Sequence, residues 1–446
     1  MSDRHAIAAD TVWLEPGTSG AYTVRWEGGV IVAVEPGRAA DAEFLEGSIV
    51  TPGFVNAHCH LDLTFDLEPT EADTLPELGE TPFTEWLLSV RDRREAAGEA
   101  GLRDAAHDGV QRSLASGTTT IVDYDPTGAS IPALAASPLR RVILREIISF
   151  SPDLTERRDA WRAFLDTPPP PARGGAELEL RGLAPHAPYT VHRAVLDAAL
   201  EEVRQRGRPW SMHVAEQAWE AELLVDGTGP YADWLRNLGI DLDRFGLPGV
   251  PAIEYLTAAG ALFEPASSGD PGARGELASR ESVDATGPLL VHANYLTEAA
   301  VENLAHASDP EHPSHLRPTV VFCPRSHRFF GHENHPLVQL RERGVRCCLG
   351  TDGLVSNHSL SILDELRTCH GMFPSLTPDE LLAMVTVEPH AALAQRLGTG
   401  RIEPGAPADL VRWTAPTPQR TNLETIVDPN VAAHTTWVAG ERAPGA

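Results

Sequence analysis

Short runs of aliphatic and β-branched residues, each closed by glycine, proline or a polar turn, recur along the chain between residues 48 and 350. Eight have the length and composition of buried strands: 48–56, 118–123, 141–148, 180–185, 209–214, 289–293, 319–323 and 345–350. Segments with helical spacing and strong helix formers separate most of them, as in 194–206 and 336–343. Strands alternating with helices imply a parallel sheet, and eight such units in one stretch predict an α/β fold of the (β/α)8 barrel type.

The flanks read differently. Before residue 50 the pattern gives short strands at 11–14, 22–26 and 30–34, the last after Gly28-Gly29. After residue 400 it gives strands within 400–411 and at 434–438. Neither flank has enough apolar residues for a core of its own. The expectation is one small β-sandwich-like domain built from residues 1–50 and 400–446, with the barrel occupying 51–399. Pro168-Pro-Pro-Pro171 makes a rigid loop before the fourth strand. The stretch 264–288, rich in Gly, Ser, Ala and Asp, reads as an insertion between the fifth and sixth strands.

Composition narrows the function. The 446 residues carry 63 acidic against 36 basic side chains, a formal charge of −27. That charge disfavours nucleic acid or an anionic membrane as partner and suits an enzyme with a small-molecule substrate. Every basic residue is arginine, so the chain lacks the lysine that a carbamylated metal bridge, a Schiff base or a phosphate loop requires. Five cysteines form an odd set. No hydrophobic leader or membrane-length apolar run is visible, and a reducing cytoplasm is the simplest expectation.

Candidate chemistry clusters where the predicted strands end. In the run Ile49-Val-Thr-Pro-Gly-Phe-Val-Asn-Ala-His-Cys-His60, residues two apart on a strand aim His58 and His60 at one point. His213, His292 and Asp352 end the fifth, sixth and eighth strands. In a (β/α)8 barrel catalytic groups gather at that end. His58, His60, His213 and Asp352 would hold one divalent metal, zinc or alternatively iron, with a position left open for water. Such an ion lowers the pKa of its water toward ~7. Glu216, three residues past His213, can reach a substrate ring without being a ligand, or alternatively caps a helix. His292 serves the site or is a satisfied core imidazole. Asp352 binds metal, takes a proton, or does both.

With these residues assembled, the chain resembles the amidohydrolase superfamily, in its aminohydrolase branch. The resemblance rests on Pro52-Gly-Phe-Val-Asn-Ala-His-Cys-His-Leu-Asp62, Pro185-His-Ala-Pro-Tyr189, His213-Val-Ala-Glu216, Leu349-Gly-Thr-Asp-Gly353 with Ser356-Asn357, and Gly405-Ala-Pro-Ala-Asp-Leu410. It implies a metal-dependent deaminase in which Glu216 shuttles a proton to a ring nitrogen. His292 would orient or polarise the attacking water, and Asp352 would help protonate the departing amine. Pro82-Phe-Thr-Glu-Trp-Leu87 and Cys323-Pro-Arg-Ser-His327 are similar to segments of bacterial aminodeoxyfutalosine deaminases of a menaquinone pathway.

That finer likeness implies an adenine nucleoside with a carboxylated aromatic extension as substrate. Glu85 would bind the ribose hydroxyls, His186 the purine or ribose, and Arg145 or Arg325 the distal carboxylate, with Trp86 beside them. Trp86 packing within a helix and Arg325 pairing with a barrel carboxylate are the alternatives. The competing substrates are S-adenosylhomocysteine, methylthioadenosine, or a guanine or triazine ring, the last including chlorohydrolysis. A scaffold that lost its chemistry is disfavoured, because every reactive group is present. The resemblance also implies a homodimer.

Overall fold

The computed structural model describes residues 4–65, 83–262, 286–309, 317–414 and 422–443. The chain opens with β1 (Arg4–Glu15), β2 (Thr18–Glu27) and β3 (Val30–Pro36), an antiparallel meander. The short β4 (Glu43–Phe44) and then β5 (Ser48–Pro52) run parallel to β1. Gly53 turns the chain out of this sheet. A Cβ there would lie 2.1 Å from Thr119 Oγ1, so only glycine permits so close an approach.

Eight parallel strands follow: β6 (Phe54–Cys59), β7 (Thr118–Asp125), β8 (Arg140–Ile147), β9 (Glu179–Pro185), β10 (Ser211–Val214), β11 (Leu289–His292), β12 (Thr319–Phe322) and β13 (Arg346–Leu349). They form two four-stranded sheets, β6–β9 and β10–β13, each in sequential order. Isolated parallel bridges connect the sheets at both margins, Leu183 with Trp210 and Cys59 with Asp352. Helices fill the crossovers. The first, α1 (Phe83–Ala115), breaks at Gly98, whose φ of 59° and ψ of −177° lie in a region that essentially only glycine visits.

The chain then returns to the first sheet with β14 (Leu410–Thr414), β15 (Ala432–Val438) and β16 (Glu441–Arg442). β14 lies antiparallel to β5, giving one mixed eight-stranded sheet ordered β16-β15-β14-β5-β1-β2-β3, with β4 on β1. Two expectations change here. The single strand predicted at 48–56 is two strands in different sheets, because Gly53 redirects the backbone. The terminal strands make one continuous sheet rather than a sandwich, because β5 bridges the contributions of the two ends. The expected insertion at 264–288 falls, up to residue 285, outside the described residues.

Alternation along the parallel strands sorts their side chains into layers. Val122 and Tyr124, Val142 and Leu144, Leu180 and Ala184, and Leu289 and Val291 meet in one cluster. Leu183, Met212, Leu290, Val320 and Cys347 belong to the larger core that contains the helices. Arg140, fully buried at the start of β8, pairs with Asp409 and donates to the carbonyls of Arg173 and Glu177, both at 2.9 Å. It locks the terminal sheet to the parallel strands. No helix among the described residues is long and apolar enough to cross a membrane.

Candidate active site

The carboxyl ends of the parallel strands supply the cluster. His58 and His60 come from the end of β6, His213 from β10, His292 from β11 and Asp352 from the loop after β13. The ligand-type atoms of His58, His60 and His213 lie within 4.8 Å of one another, and so do those of His58, His292 and Asp352. His58 is common to both sets. Asp352 Oδ1 stands 3.4 Å from His58 Nε2 and 3.7 Å from His60 Nε2. Ring centroids of His58 and His213 are 5.0 Å apart.

The donors fit a divalent cation. Both ring nitrogens of His58 and Nδ1 of His60 are buried without a hydrogen-bond partner among the described residues, which is costly unless something else satisfies them. Burial, reinforced by neighbouring imidazoles, holds His60 and His213 well below the usual histidine range, so each offers a neutral lone pair. His213 Nδ1 lies 3.0 Å from the carbonyl of His186, which turns its Nε2 toward the cluster. Burial alone would raise the Asp352 carboxyl, but the His58 contact and the charges of the surrounding imidazoles outweigh it and keep it ionised. Its other oxygen, Oδ2, accepts from the hydroxyls of Ser326 and Ser356, each at 2.8 Å.

The backbone at this rim is unusual. Ala215, His292, Ala293 and Asp352 all have positive φ, from 48° to 70°, although none is glycine. Such conformations cost roughly 1–3 kcal/mol each and persist where surrounding bonds impose them. Glu220 supplies two of those bonds. Buried in α5 (Ala218–Asp226, counting α2 as Ile131–Ala136, α3 as Arg157–Leu165 and α4 as Arg193–Gln205), it accepts from the N–H groups of Ala215 at 2.9 Å and Glu216 at 3.1 Å. Asn294 adds a third, donating to the carbonyl of Glu216 at 3.0 Å. Opposite, His335 Nε2 lies 2.8 Å from the carbonyl of His292.

Glu216 therefore stands in a braced turn, with Oε1 3.6 Å from His292 Nε2. Burial, together with the charges of Asp352 and Glu220, pushes its carboxyl well above the ordinary range. Burial also lowers His292 to about 3 and His186 to about 4. A carboxyl that favours its proton, beside a neutral imidazole and an ionised carboxylate, is equipped to carry a proton over a short distance.

These groups open into a chamber of about 970 Å³ lined by His60, His186, His213, Glu216, His292 and Asp352 at its base. α1 contributes Phe83, Trp86, Val90 and Arg94 to its wall. Trp86 lines the chamber and also packs on Phe83 and donates to the carbonyl of Val355 at 3.2 Å. Glu85 is exposed on α1 and is not among the lining residues. Arg145 borders an adjoining cavity of about 500 Å³ with Arg157, Trp161 and Phe164, and its guanidinium lies 5.0 Å from the Phe164 ring. Arg325 lines neither. Its Nε donates to Asn357 Oδ1 at 2.8 Å and sits 3.9 Å from Glu365, so it is committed to pairing within the fold.

Sequence reasoning passes over Glu220, Glu146, Ser326, Asn294 and His335. For Glu220 a signal exists: an acid four residues after Glu216, in the first turn of a helix. For the rest no local pattern marks a role, because each acts on a residue distant in sequence.

Relatives of known description place this architecture. The aminodeoxyfutalosine deaminase of Deinococcus radiodurans is 26% identical over 374 residues, covering 80% of this chain and 78% of the relative. The 5-methylthioadenosine/S-adenosylhomocysteine deaminase of Nitratidesulfovibrio vulgaris is 27% identical over 409 residues, covering 88% and 76%. Among solved structures, Helicobacter pylori aminofutalosine deaminase in complex with methylthio-coformycin matches with a TM-score of 0.76 at 22% identity, over 98% of this chain and 99% of that one. A zinc-bound adenosine deaminase from Xanthomonas campestris matches with a TM-score of 0.73 at 23% identity, over 98% and 92%. These two likenesses speak for the fold, of the (β/α)8 type with parallel sheets and a mixed terminal sheet. The Amidohydrolase family matches residues 49–443, and the chain accordingly belongs to the amidohydrolase family, as a hydrolytic deaminase.

Proposed function

We propose that the protein converts a 6-aminopurine nucleoside to its 6-oxo product and ammonia, with aminodeoxyfutalosine, a menaquinone precursor, as the preferred substrate. The observation that carries the reading is the placement of Glu216. It faces a nucleoside-sized chamber beside, and not within, the His58, His60, His213 and Asp352 donor set. In this reading the two sheets are one closed barrel over residues 51–399, with a composite β domain from 1–50 and 400–446.

His58, His60, His213 and Asp352 hold one divalent metal, preferably zinc, which when bound supplies a water acidified toward neutral pH. Glu216 accepts a proton from the attacking water and delivers it to the purine nitrogen next to the amino-bearing carbon. His292 fixes the water's orientation. Asp352 then passes the second proton to the amino group, which leaves as ammonia. Arg145, bordering the adjoining cavity, takes the distal carboxylate, as its guanidinium fork suits that group.

The second reading, a methylthioadenosine or S-adenosylhomocysteine deaminase, draws on the relative that spans 88% of this chain. A panel of aminodeoxyfutalosine, methylthioadenosine, S-adenosylhomocysteine and adenosine, followed by the ultraviolet change from adenine to hypoxanthine, separates the two. A kcat/KM highest for aminodeoxyfutalosine is expected. No hypoxanthine-type product from any of them would refute the nucleoside reading.

A further inference from the structure

Glu146 is a buried acid for which the chemistry above has no use. It is the seventh residue of β8, and it continues the face occupied by Val142 and Leu144, which places its side chain over the strand ends. It is 8% exposed, yet its Oε1 has no hydrogen-bond partner among the described residues. It lines the main chamber and also the adjoining cavity. Its ligand-type oxygen and those of His186 and His213 fall within 4.8 Å of one another, so it stands at the base of the chamber.

Its surroundings do not satisfy it. The nearest guanidinium named in its environment, Arg94, is already paired with Asp62 through Nε at 2.8 Å and Nη2 at 3.2 Å. His186 directs Nδ1 to the Thr190 hydroxyl at 2.8 Å, leaving its other nitrogen for the chamber. A carboxylate accepts at up to about four positions and can take two adjacent hydroxyl donors at once. Burying it without donors is unfavourable, so a fold that tolerates this has a use for donors brought by a ligand. Glu85, which the sequence suggested for this task, is exposed and outside the chamber lining.

We propose that Glu146 is the sugar-recognition residue, accepting hydrogen bonds from the vicinal hydroxyls of the nucleoside's ribose beside His186. The inference rests on the nucleoside reading above and specifies which wall holds the sugar. An oxygen so near His213 is closer to the reacting end than the span of a purine nucleoside, so a bound purine would carry its ribose along this wall.

The test compares adenosine with 2′,3′-dideoxyadenosine in the metal-loaded wild type, E146Q and E146A, with metal content and melting temperature measured alongside. The wild type should prefer adenosine, mainly through KM. Both variants should lose roughly 10- to 100-fold in kcat/KM on adenosine and little on the dideoxy analogue, so the preference collapses. Metal content should hold, and E146Q should melt no lower than wild type. An active enzyme whose variants keep the ribose preference would overturn this inference while leaving the nucleoside reading intact. Metal loss would overturn it by making Glu146 a cation ligand. A lower melting temperature in both variants would do so by showing the carboxylate satisfied within the fold. A wild type inactive on every adenine nucleoside would instead fail the functional reading and remove the basis of this one.

Discussion

The terminal sheet and the carboxyl rim of the parallel strands bury polar groups in opposite ways. In the sheet, Arg140 and Asp409 are buried and paired, and both ends of the guanidinium find carbonyl acceptors. At the rim, imidazole nitrogens and Glu146 are buried without partners, and four non-glycine residues take left-handed backbone angles. Satisfied burial stabilises a fold, whereas unsatisfied burial and strain persist where an incoming group completes the set. The same chain thus keeps its structural and chemical tasks apart.

That contrast predicts different failures in the two regions. The largest effect should come from removing the metal. Dialysis against a chelator should abolish turnover, and added zinc should restore it, with metal analysis tracking activity. Persistent full activity in metal-free protein would break the assignment of the rim. Next is Glu216→Gln, which keeps size and hydrogen-bonding reach but cannot carry a proton. It should lose ~10²–10⁴-fold or more in kcat while retaining metal and fold. Near wild-type turnover would leave Glu216 a structural cap.

Asp409→Asn probes the other region. It leaves the buried Arg140 charge unpaired and should cost about 3 kcal/mol of stability, read as a lower melting temperature, with kcat of the folded enzyme unchanged. A fall in kcat without a change in melting temperature would dissolve the comparison. Glu220→Gln should lie between the regions. It replaces one acceptor of the braced 215–216 turn with an amide nitrogen, and kcat should fall roughly tenfold with KM little altered. The smallest effect is expected of Ser356→Ala. Ser326 still donates to Asp352 Oδ2, so the loss should be worth about 1 kcal/mol, a few-fold in kcat/KM.

Much of the fold and of the rim is legible in the order of residues. The strand expected at 180–185 appears as Glu179–Pro185 and the helix at 194–206 as Arg193–Gln205, because period and turn chemistry are local signals. His58, His60, His213 and Asp352 are legible because each ends an apolar run, and the barrel topology sends such ends to one rim. The split at Gly53 is not. A glycine within an apolar run looks like a strand interior, and only the approach of Thr119 against it marks the turn. Glu85 and Arg325 mislead for a related reason. A residue's type states what it can bind, while its neighbours decide whether it faces the chamber or, as with Arg325, Asn357 and Glu365.

By itself, then, the sequence determined the alternation of strands and helices, the reactive side chains at the strand ends, and the acidic, lysine-free character of the chain. Each of these depends on residue type and short-range spacing, which the linear order contains. Tertiary structure alone decided which acids are braced, which are paired and which are left open. Glu220 receives two backbone N–H groups, Asp409 receives Arg140 from 269 positions away, and Glu146 receives nothing among the described residues. The three are chemically near-identical carboxylates. Burial and hydrogen-bond partners distinguish them, and those arise only when segments far apart in the chain are brought into contact.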